Sequence, residues 1–594
     1  MKMMIGKKYL FIVLALVMTA NLPLLAADDL ADPLYEEEYV VTATRIPQSP
    51  EQAPGMTETI NGKEVEQGIE PVSAVLAENG FAFPSFGGPH STACLQMDGV
   101  NDSRLQFLVN GVPLSPDQGG SVDLSYFPTA GLEKIEIVHG PLSALYGANA
   151  LGGVVNIITD LTGESKNTLS LGGGSFDSWQ CGAAVERNKW GLALGGNITD
   201  GYRPHSKAES SYVSGQYDFF QHDEEHLILH GNFMTKEAQQ PGDRTGSGLG
   251  KQEDQRLMVD LSGKAQWLEG LWEYKVYAQN QELKYNKDKH LVRNYGVDVA
   301  ALYEPGNHQL LAGSMYKSDS VDSTSSGQHS LDNISFYLQD LWYLTGDTLL
   351  LSGLRWDYNS QYGSPLSPRL SFTKCFSDDL KISLAYGEAF RAPTISDLYW
   401  EDPWYHGNPD LKPERSRRYD LIGDWTTEKG SLTVNLYHSL IKDGIQSTAD
   451  WSTVKNIGSI KITGVNLKLE REFTTNFNGR LGYGWLNRME LDKNTGKYNP
   501  NMPYGAHRLN LAVRYQWNNL TSALDWQIVS GRKALPGRTV PADYQLLQLD
   551  LAYRFNELFN LSLTANNLLD EEYEIENGYP MPGRSFSAGL SYNF

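Results

Sequence analysis

The sequence predicts an all-β membrane protein: a 22-stranded antiparallel transmembrane β-barrel with an N-terminal α+β plug domain inside its lumen. Three observations lead there. The chain opens with an export signal; most of its length alternates apolar and polar residues in segments of about ten, the length of a tilted membrane-crossing strand; and the connections between those segments alternate short and long.

Residues 1–27 read as a secretory signal peptide, because Lys2, Lys7 and Lys8 precede an apolar run at 9–18 and Leu24-Leu25-Ala26-Ala27 leads into Asp28-Asp29. Cleavage falls after Ala26 or Ala27. The run is shorter than the ~20 residues of a spanning helix, and no later segment reaches that length. A net charge of −22 argues against nucleic acid. Negative mean hydropathy does not argue against a membrane, since alternating strands look hydrophilic on average. Cys94, Cys181 and Cys375 are odd in number and far apart, so no disulfide framework or C-x-x-C metal pair is available.

Residues 28–54 form a proline-rich tether around the stretch EEEYVVTATR at 36–45. Val40, Val41, Thr42 and Thr44 are β-branched and favour an extended backbone, while Pro33, Pro47, Pro50 and Pro54 discourage a hairpin. The expected result is a strand without a partner, suited to pairing with another protein's sheet edge. On this segment alone, an ordinary edge strand is the other reading.

Residues 55–162 read as the α+β plug. Helix-compatible stretches lie at 64–79, Asn110-Gly111 supplies the positive φ angles of a type I′ hairpin turn, and Ile135 and Ile137 alternate with polar neighbours. Gly140-Pro141 ends that strand, 142–146 allows one helical turn, and Gly152-Gly153 leads into an apolar strand at 154–158.

Residues 163–594 read as the barrel. In 584–594, Phe586, Ala588, Leu590, Tyr592 and Phe594 alternate with small or polar residues, so one face meets lipid and the other the lumen. The same pattern puts Leu547, Leu549 and Leu551 opposite Gln548 and Asp550, and Cys181 and Cys375 on opposite faces of the wall. Candidate tight turns fall at 188–189, 221–225, 269–270, 304–307, 345–347, 377–379, 428–430, 474–476, 518–519 and 556–557. Ten turns join twenty strands; one strand before and one after give 22, a barrel wide enough to need a plug.

Two enzymatic patterns dissolve in this context. His222-Asp223-Glu224-Glu225-His226 matches an inverted zinc-protease motif but lies between alternating strands, where a solvated turn is expected. The glycine-rich 246–250 follows no buried strand and opens no helix, so it reads as a loop. No catalytic cluster can be assembled, and the chain is read as a non-enzyme; the rival class is a passive pore or an outer-membrane enzyme.

Taken in order, EEYVVTATR, LVNGVPL from Leu108, EKIEIVHGPLSALYGANALGGVVNIIT from Glu133, FRAPTISDLYW from Phe390, GNPDLKPERS from Gly407, and NNLLDEEYE followed by PGRSF make the chain resemble a TonB-dependent outer-membrane receptor from about Glu36 to Phe594. The resemblance implies a Gram-negative outer-membrane location in contact with lipid, a ligand bound from outside, and TonB pulling on a box formed by Glu38, Tyr39, Val40, Val41, Thr42 and Ala43. A periplasmic or surface binding protein is a further partner consistent with it. Two departures stand out: where family plugs commonly carry arginine, this chain has Asp98 in Met97-Asp98-Gly99 and His139 in His139-Gly140-Pro141. The family's plug-to-wall charge contacts therefore do not carry over, and the lock is expected to be looser, rewired or dependent on protonation of His139.

The wording of the plug and C-terminus is similar to cobalamin receptors, and siderophore receptors share most of it. The expected ligand site joins Phe86, His90 and Ser91 from one plug loop, Ser115, Asp117 and Gln118 from the next, and Trp400, Trp404 and Tyr405 after the FRAP motif. Aromatics with hydroxyl and amide groups suit a corrinoid, and neither plug loop offers the Lys or Arg that a catecholate siderophore would be expected to want. Haem receptors resemble this chain in carrying a histidine where His406 sits, with His90 a candidate second axial ligand; an ordinary aromatic-loop residue is the alternative. No cofactor is expected beyond calcium at the acidic residues Asp243, Glu253 and Asp254, with a plain solvated loop as the alternative.

Overall fold

The computed structural model describes residues 40–594 apart from 49–52, 63–64, 66–69, 89–90, 164–165, 223–224, 449 and 493–494; the export signal, Glu38, Tyr39 and His90 lie outside the described residues. From Lys166–Gly174 to Ser585–Asn593 the strands pair antiparallel in sequence order, and the last closes on the first through Ser587↔Gly174 to Asn593↔Thr168. Tyr498–Pro500 is a short extension on Phe477–Leu491, which itself pairs with His507–Trp517, so the wall built from the described residues has 22 strands.

All ten expected tight turns join paired strands. Asn518-Asn519, for example, links Trp517↔Leu520, with Asn518 at φ 51°, a left-handed conformation asparagine tolerates. The alternation sets the faces: Phe586 and Leu590 are exposed toward lipid, while Gly589 between them is buried. Lumen-facing positions carry Lys236, Arg256, Arg355 and Arg418, which are among the largest fully buried side chains. Several strands are much longer than the expected ten residues, with Leu249–Trp267 at 19 and Val454–Thr474 at 21. A tilted strand crosses the hydrocarbon core in about ten residues, so the wall continues beyond it as a paired collar.

The motif His222 to His226 is a strand connection as expected: the two histidines end and begin neighbouring strands, with His226 opposite Gln221. They do not share a helix face. All three cysteines are free.

Inside the wall, the plug's strands are β1 (Thr57–Asn61), β2 (Gln96–Met97), β3 (Val100–Asn101), β4 (Leu105–Val109), β5 (Val112–Pro113), β6 (Leu132–His139) and β7 (Gly153–Thr159). Five of them form a sheet in the order β1-β6-β7-β4-β5, parallel only at β4/β7. Asn110 and Gly111, at φ 51° and 73°, make the predicted hairpin turn. Among the described residues the plug also has two short α-helices, α1 (Val72–Glu78) and α2 (Ser143–Tyr146), and a 3-10 turn at Asp102–Arg104; α1 lies within the helix-compatible 64–79, of which 64 and 66–69 lie outside the described residues. Phe107, Leu124, Ile135, Ile137 and Val155 form its core, which runs without a break into Met234, Tyr437 and Ile460 of the wall.

The closing strand has a terminal clasp. The Phe594 amide donates to the Asn167 carbonyl at 2.9 Å, its own carbonyl accepts from Asn167 N and Nδ2, and its ring stacks on Tyr592. Deleting Phe594 is expected to reduce the amount of inserted barrel, measured by membrane fractionation, more than it reduces the heat resistance of the fraction that inserts. Normal membrane levels of the truncated chain would contradict this.

Candidate functional site

The stretch expected to be an unpartnered strand is instead folded against the plug. Val40 and Gln48 exchange backbone hydrogen bonds at 2.8 and 3.1 Å, and Arg45 N donates to Val41 O at 2.7 Å, closing a turn between them. Tertiary contact overrides β-propensity here because a buried carboxylate replaces the missing strand. Glu136 of β6 accepts from Val41 N at 3.2 Å and Thr42 N at 2.8 Å, and from the Thr42 hydroxyl, while Lys134 neutralises it at 2.9 Å. The turn's carbonyls are also taken: Tyr146 OH donates to Thr42 O, Arg369 to Ala43 O and Gln339 to Thr44 O. Val40 and Ala43 pack on Leu108, Val138 and Val154, and Ile46 packs on Leu145 and Leu341. Arg45 reaches the wall at Asp298, 2.9 Å away, and donates to Tyr337 OH. Most of the residues from Val40 to Gln48 are thus buried, with the Val40, Val41 and Thr42 amides hydrogen-bonded.

The substituted arginines of the plug are replaced by a rewired lock. Asp98, at φ 49° in the β2–β3 turn, accepts from Arg418 Nη1 of the wall at 2.7 Å and from Asn466 Nδ2 at 2.8 Å. His139 lies 3.1 Å from Asp98 Oδ2 and 2.8 Å from Glu58 Oε1. At this contact the plug supplies the anion and the wall the cation. Burial is the largest influence on His139 and disfavours its charge, but Asp98 by charge and hydrogen bond, with Glu58 behind it, pushes the imidazole up to about 10. Burial also disfavours the Asp98 and Glu58 charges; the His139 cation outweighs it, aided by Arg418 at Asp98 and by the His139 hydrogen bond at Glu58, and holds both carboxyls below their ordinary values.

A second lock involves residues to which no role was assigned from sequence. Arg104 of the plug grips buried Glu414 with Nε at 2.8 Å and Nη2 at 2.9 Å, and Glu414 also accepts from Arg391 and from Ile445 N. Arg391 in turn holds Asp397 at 2.9 Å; Asp397 caps the helix α3 (Ile395–Tyr399) in a box with Thr394. Both Arg391 and Glu414 stand in quoted family motifs, which was the available signal. Their partner Arg104 carries none.

The expected ligand residues divide into two groups. Ser91, Ser115 and Gln118 are buried: Ser91 bonds Ser85, the Ser115 amide donates to Gln279 while its carbonyl accepts from Arg256, and the Gln118 carbonyl accepts from Ser396 N of α3. Asp117 accepts from the Gly119 and Ser121 amides, and burial pushes its carboxyl up to about 6. Phe86 is exposed and meets Tyr579 edge to face, Trp404 is 84% exposed, Trp400 donates to Asp402, and Tyr405 packs with Leu398 and Val454. The plug loops lack a cation of their own, yet the wall supplies Arg203, which donates to Gly87 O. His406 is exposed, 2.6 Å from Glu401.

The three calcium candidates do not come together. Asp243 accepts from Thr245 and Ser247 within its own turn, Glu253 pairs with Lys251, and Asp254 is a buried strand residue accepting from Gln252 and Gln281. Glu253 and Asp254 are strand neighbours and so face opposite sides of the wall.

A 22-stranded wall, an inner plug and a buried segment at the plug's start define a gated outer-membrane receptor. The family model described as TonB dependent receptor-like, beta-barrel matches residues 113–568, and that of the TonB-dependent Receptor Plug Domain matches 49–154. The chain belongs to the TonB-dependent receptor family and is an outer-membrane protein of Gram-negative bacteria. It is similar to the Vitamin B12 transporter BtuB of Photobacterium profundum, 26% identical over 95% of this chain and 96% of that one, and to BtuB of Vibrio cholerae, 26% identical over 94% and 96%. Among solved structures it resembles the siderophore receptor PirA of Acinetobacter baumannii, with TM-score 0.79, 16% identity, and 92% and 99% covered. The ferric enterobactin receptor PfeA of Pseudomonas aeruginosa gives TM-score 0.78, 17% identity, and 94% and 100% covered.

The His139 lock has a signed pH dependence. Its folded value lies above the ordinary 6.5, so its stabilisation is complete below about pH 6.5 and is lost as pH rises through about 10. Urea unfolding of the plug should show the advantage of the wild type over His139→Gln shrinking across that window. An advantage independent of pH would contradict the protonated lock.

Proposed function

We propose that this receptor imports a scarce, large ligand in an energy-coupled step, with cobalamin or another corrinoid as the ligand and TonB as the source of work. The observation that carries the corrinoid reading is end-to-end similarity to vitamin B12 transporters, covering 95% of this chain and 96% of the relative. The mixture of exposed aromatics Phe86 and Trp404 with the polar Asp117 supports it. The second reading, a ferric siderophore, is favoured by Arg203 beside the first plug loop. Haem is the third candidate, through His406.

Coupling follows from the seat of residues 40–48. A partner strand pairing by β-augmentation needs free main-chain groups, and those of Val40, Val41 and Thr42 are engaged by Gln48 and Glu136. TonB therefore engages the segment after it leaves its seat on Glu136, and traction then passes along the chain to β1, which pairs with β6. Outer loops bind the ligand without energy; its passage requires the pull. No catalytic step is part of this reading.

The test is direct titration of the purified receptor with cyanocobalamin, haem and a ferric siderophore, beside uptake by intact cells. Cyanocobalamin should bind, and Val41→Pro should abolish uptake while leaving binding intact, because proline removes a donor and stiffens the backbone. Uptake that survives in Val41→Pro, or after collapse of the proton gradient, would sink the energised mechanism. Haem binding lost in His406→Ala, with no corrinoid binding, would replace the ligand.

A further inference from the structure

A cavity of about 460 Å³ lies between one side of the plug and the wall, away from the outer loops named above. On the plug side it is lined by Glu58, the 79–82 loop after α1, and the Asp98–Gly99 turn; on the wall side by the strands Val454–Thr474, Phe477–Leu491 and His507–Trp517 and, at its outer end, by the 501–506 loop. Arg480, Gly482, Gly484 and Arg488 line it from one strand, so it extends on the order of 26 Å along the wall at 3.3 Å per residue.

Its charge is lopsided. Arg104, Lys468, Arg480, Arg488 and Arg508 face only two lining carboxylates, Glu58 and Asp98, and both of those are held by His139. Arg104 is matched by Glu414, Arg488 by Glu490 and Lys468 by Glu470. Arg480 and Arg508 have no carboxylate within ion-pair distance among the described residues: Arg480 donates to Asn79 Oδ1, and Arg508 to the Tyr504 carbonyl at 3.1 and 3.3 Å. Two guanidiniums that line a cavity and have no ion-pair partner there, its two carboxylates being held by His139, form a recognition site for a carboxylate or phosphate group, which guanidinium planes bind bidentately.

The plug is lightly fastened on this side. Besides the Arg480–Asn79 contact, α1 meets the wall through Asn510 and Gln548, each donating to Glu78 at 3.2 Å. These are weak ties beside the Arg104–Glu414 and Asp98–Arg418 ion pairs.

We propose that this cavity is an internal station on the import route, where Arg480 and Arg508 take the anionic edge of the ligand, a phosphodiester or carboxylate, after it leaves the outer site. The inference rests on the transport reading above and adds a second, interior subsite with its own chemistry. The cavity suits part of a large ligand, since sites for whole drug-sized molecules span about 300–1,000 Å³.

The test uses the full receptor with cyanocobalamin, whose nucleotide loop carries a phosphodiester. Three variants are compared: Arg480→Gln with Arg508→Gln, which removes the charges; Arg480→Lys with Arg508→Lys, which keeps them; and Gly482→Trp, which fills the space. A Cβ at Gly482 meets Asn510 Cβ at 3.8 Å, an ordinary contact, so the backbone there accepts a side chain. The outer dissociation constant should stay at the wild-type value in all three. The initial uptake rate should fall by about tenfold in the glutamine and tryptophan variants, the loss that goes with a removed charge-assisted contact, and remain near wild type in the lysine variant. Unchanged uptake in the glutamine variant would overturn the proposal; should that variant fail to insert, unchanged uptake in Gly482→Trp would do the same. Failure of the wild type to bind cyanocobalamin at all is a distinct result: it removes the corrinoid reading and this station with it.

Discussion

A wall of 22 strands encloses more space than its own inward side chains can fill, and the rest of the structure answers that constraint. The lumen has to be occupied by a second folded body, yet that body has to move when ligand passes. An apolar seam alone would fuse plug and wall into one core. The observed seam joins the plug core to wall residues such as Met234, Tyr437 and Ile460 and sets buried ion pairs among them: Asp98 on Arg418, Arg104 on Glu414, Arg45 on Asp298. Such pairs contribute less net stability than their Coulomb attraction suggests, because both partners lose water on burial. They do fix geometry, since removing one partner leaves a buried charge. The seam is therefore specific without being irreversible, as a movable plug requires.

The same logic applies to the segment at 40–48. Its backbone groups are those a coupling partner would pair with, and in the resting receptor Glu136, Asn156, Tyr146, Arg369 and Gln339 hold that segment. A bare β-strand in that position would be an open edge, available to any sheet and prone to aggregation. Seating it in a carboxylate cradle keeps the edge closed until it is withdrawn. Because Glu136 lies in β6, next to the strand β7 at the centre of the plug sheet, the seat ties the segment to the plug's core until it is withdrawn.

The barrel was legible from sequence because period-2 alternation with ten tight turns is a local signal, and a strand's face follows from parity alone. Phe586 and Leu590 needed no tertiary information. The conformation of the segment at 40–48 was not legible: β-branched residues at 40–44 favour extension, and only the approach of Glu136, some ninety residues on, makes a turn satisfactory. The plug lock was half legible. Asp98 and His139 marked themselves by departing from the family pattern, whereas Arg418 looked like any polar residue on a lumen-facing position. Ion pairs across hundreds of residues leave no trace in spacing, so Arg104–Glu414 had to be seen. In the expected outer site, Ser91 and Ser115 read as available hydroxyls, whereas both are buried, with the Ser91 hydroxyl against Ser85 and the Ser115 hydroxyl donating to the Pro116 carbonyl.

Hydrogen exchange at the Val41 and Thr42 amides tests the central claim, that the coupling segment is seated on Glu136 until ligand and TonB act. In the ligand-free receptor both amides should exchange slowly, at rates set by opening of the plug, and Glu136→Gln should accelerate them while leaving β7 amides protected. Fast, unprotected exchange of Val41 and Thr42 in the ligand-free wild type would contradict the account.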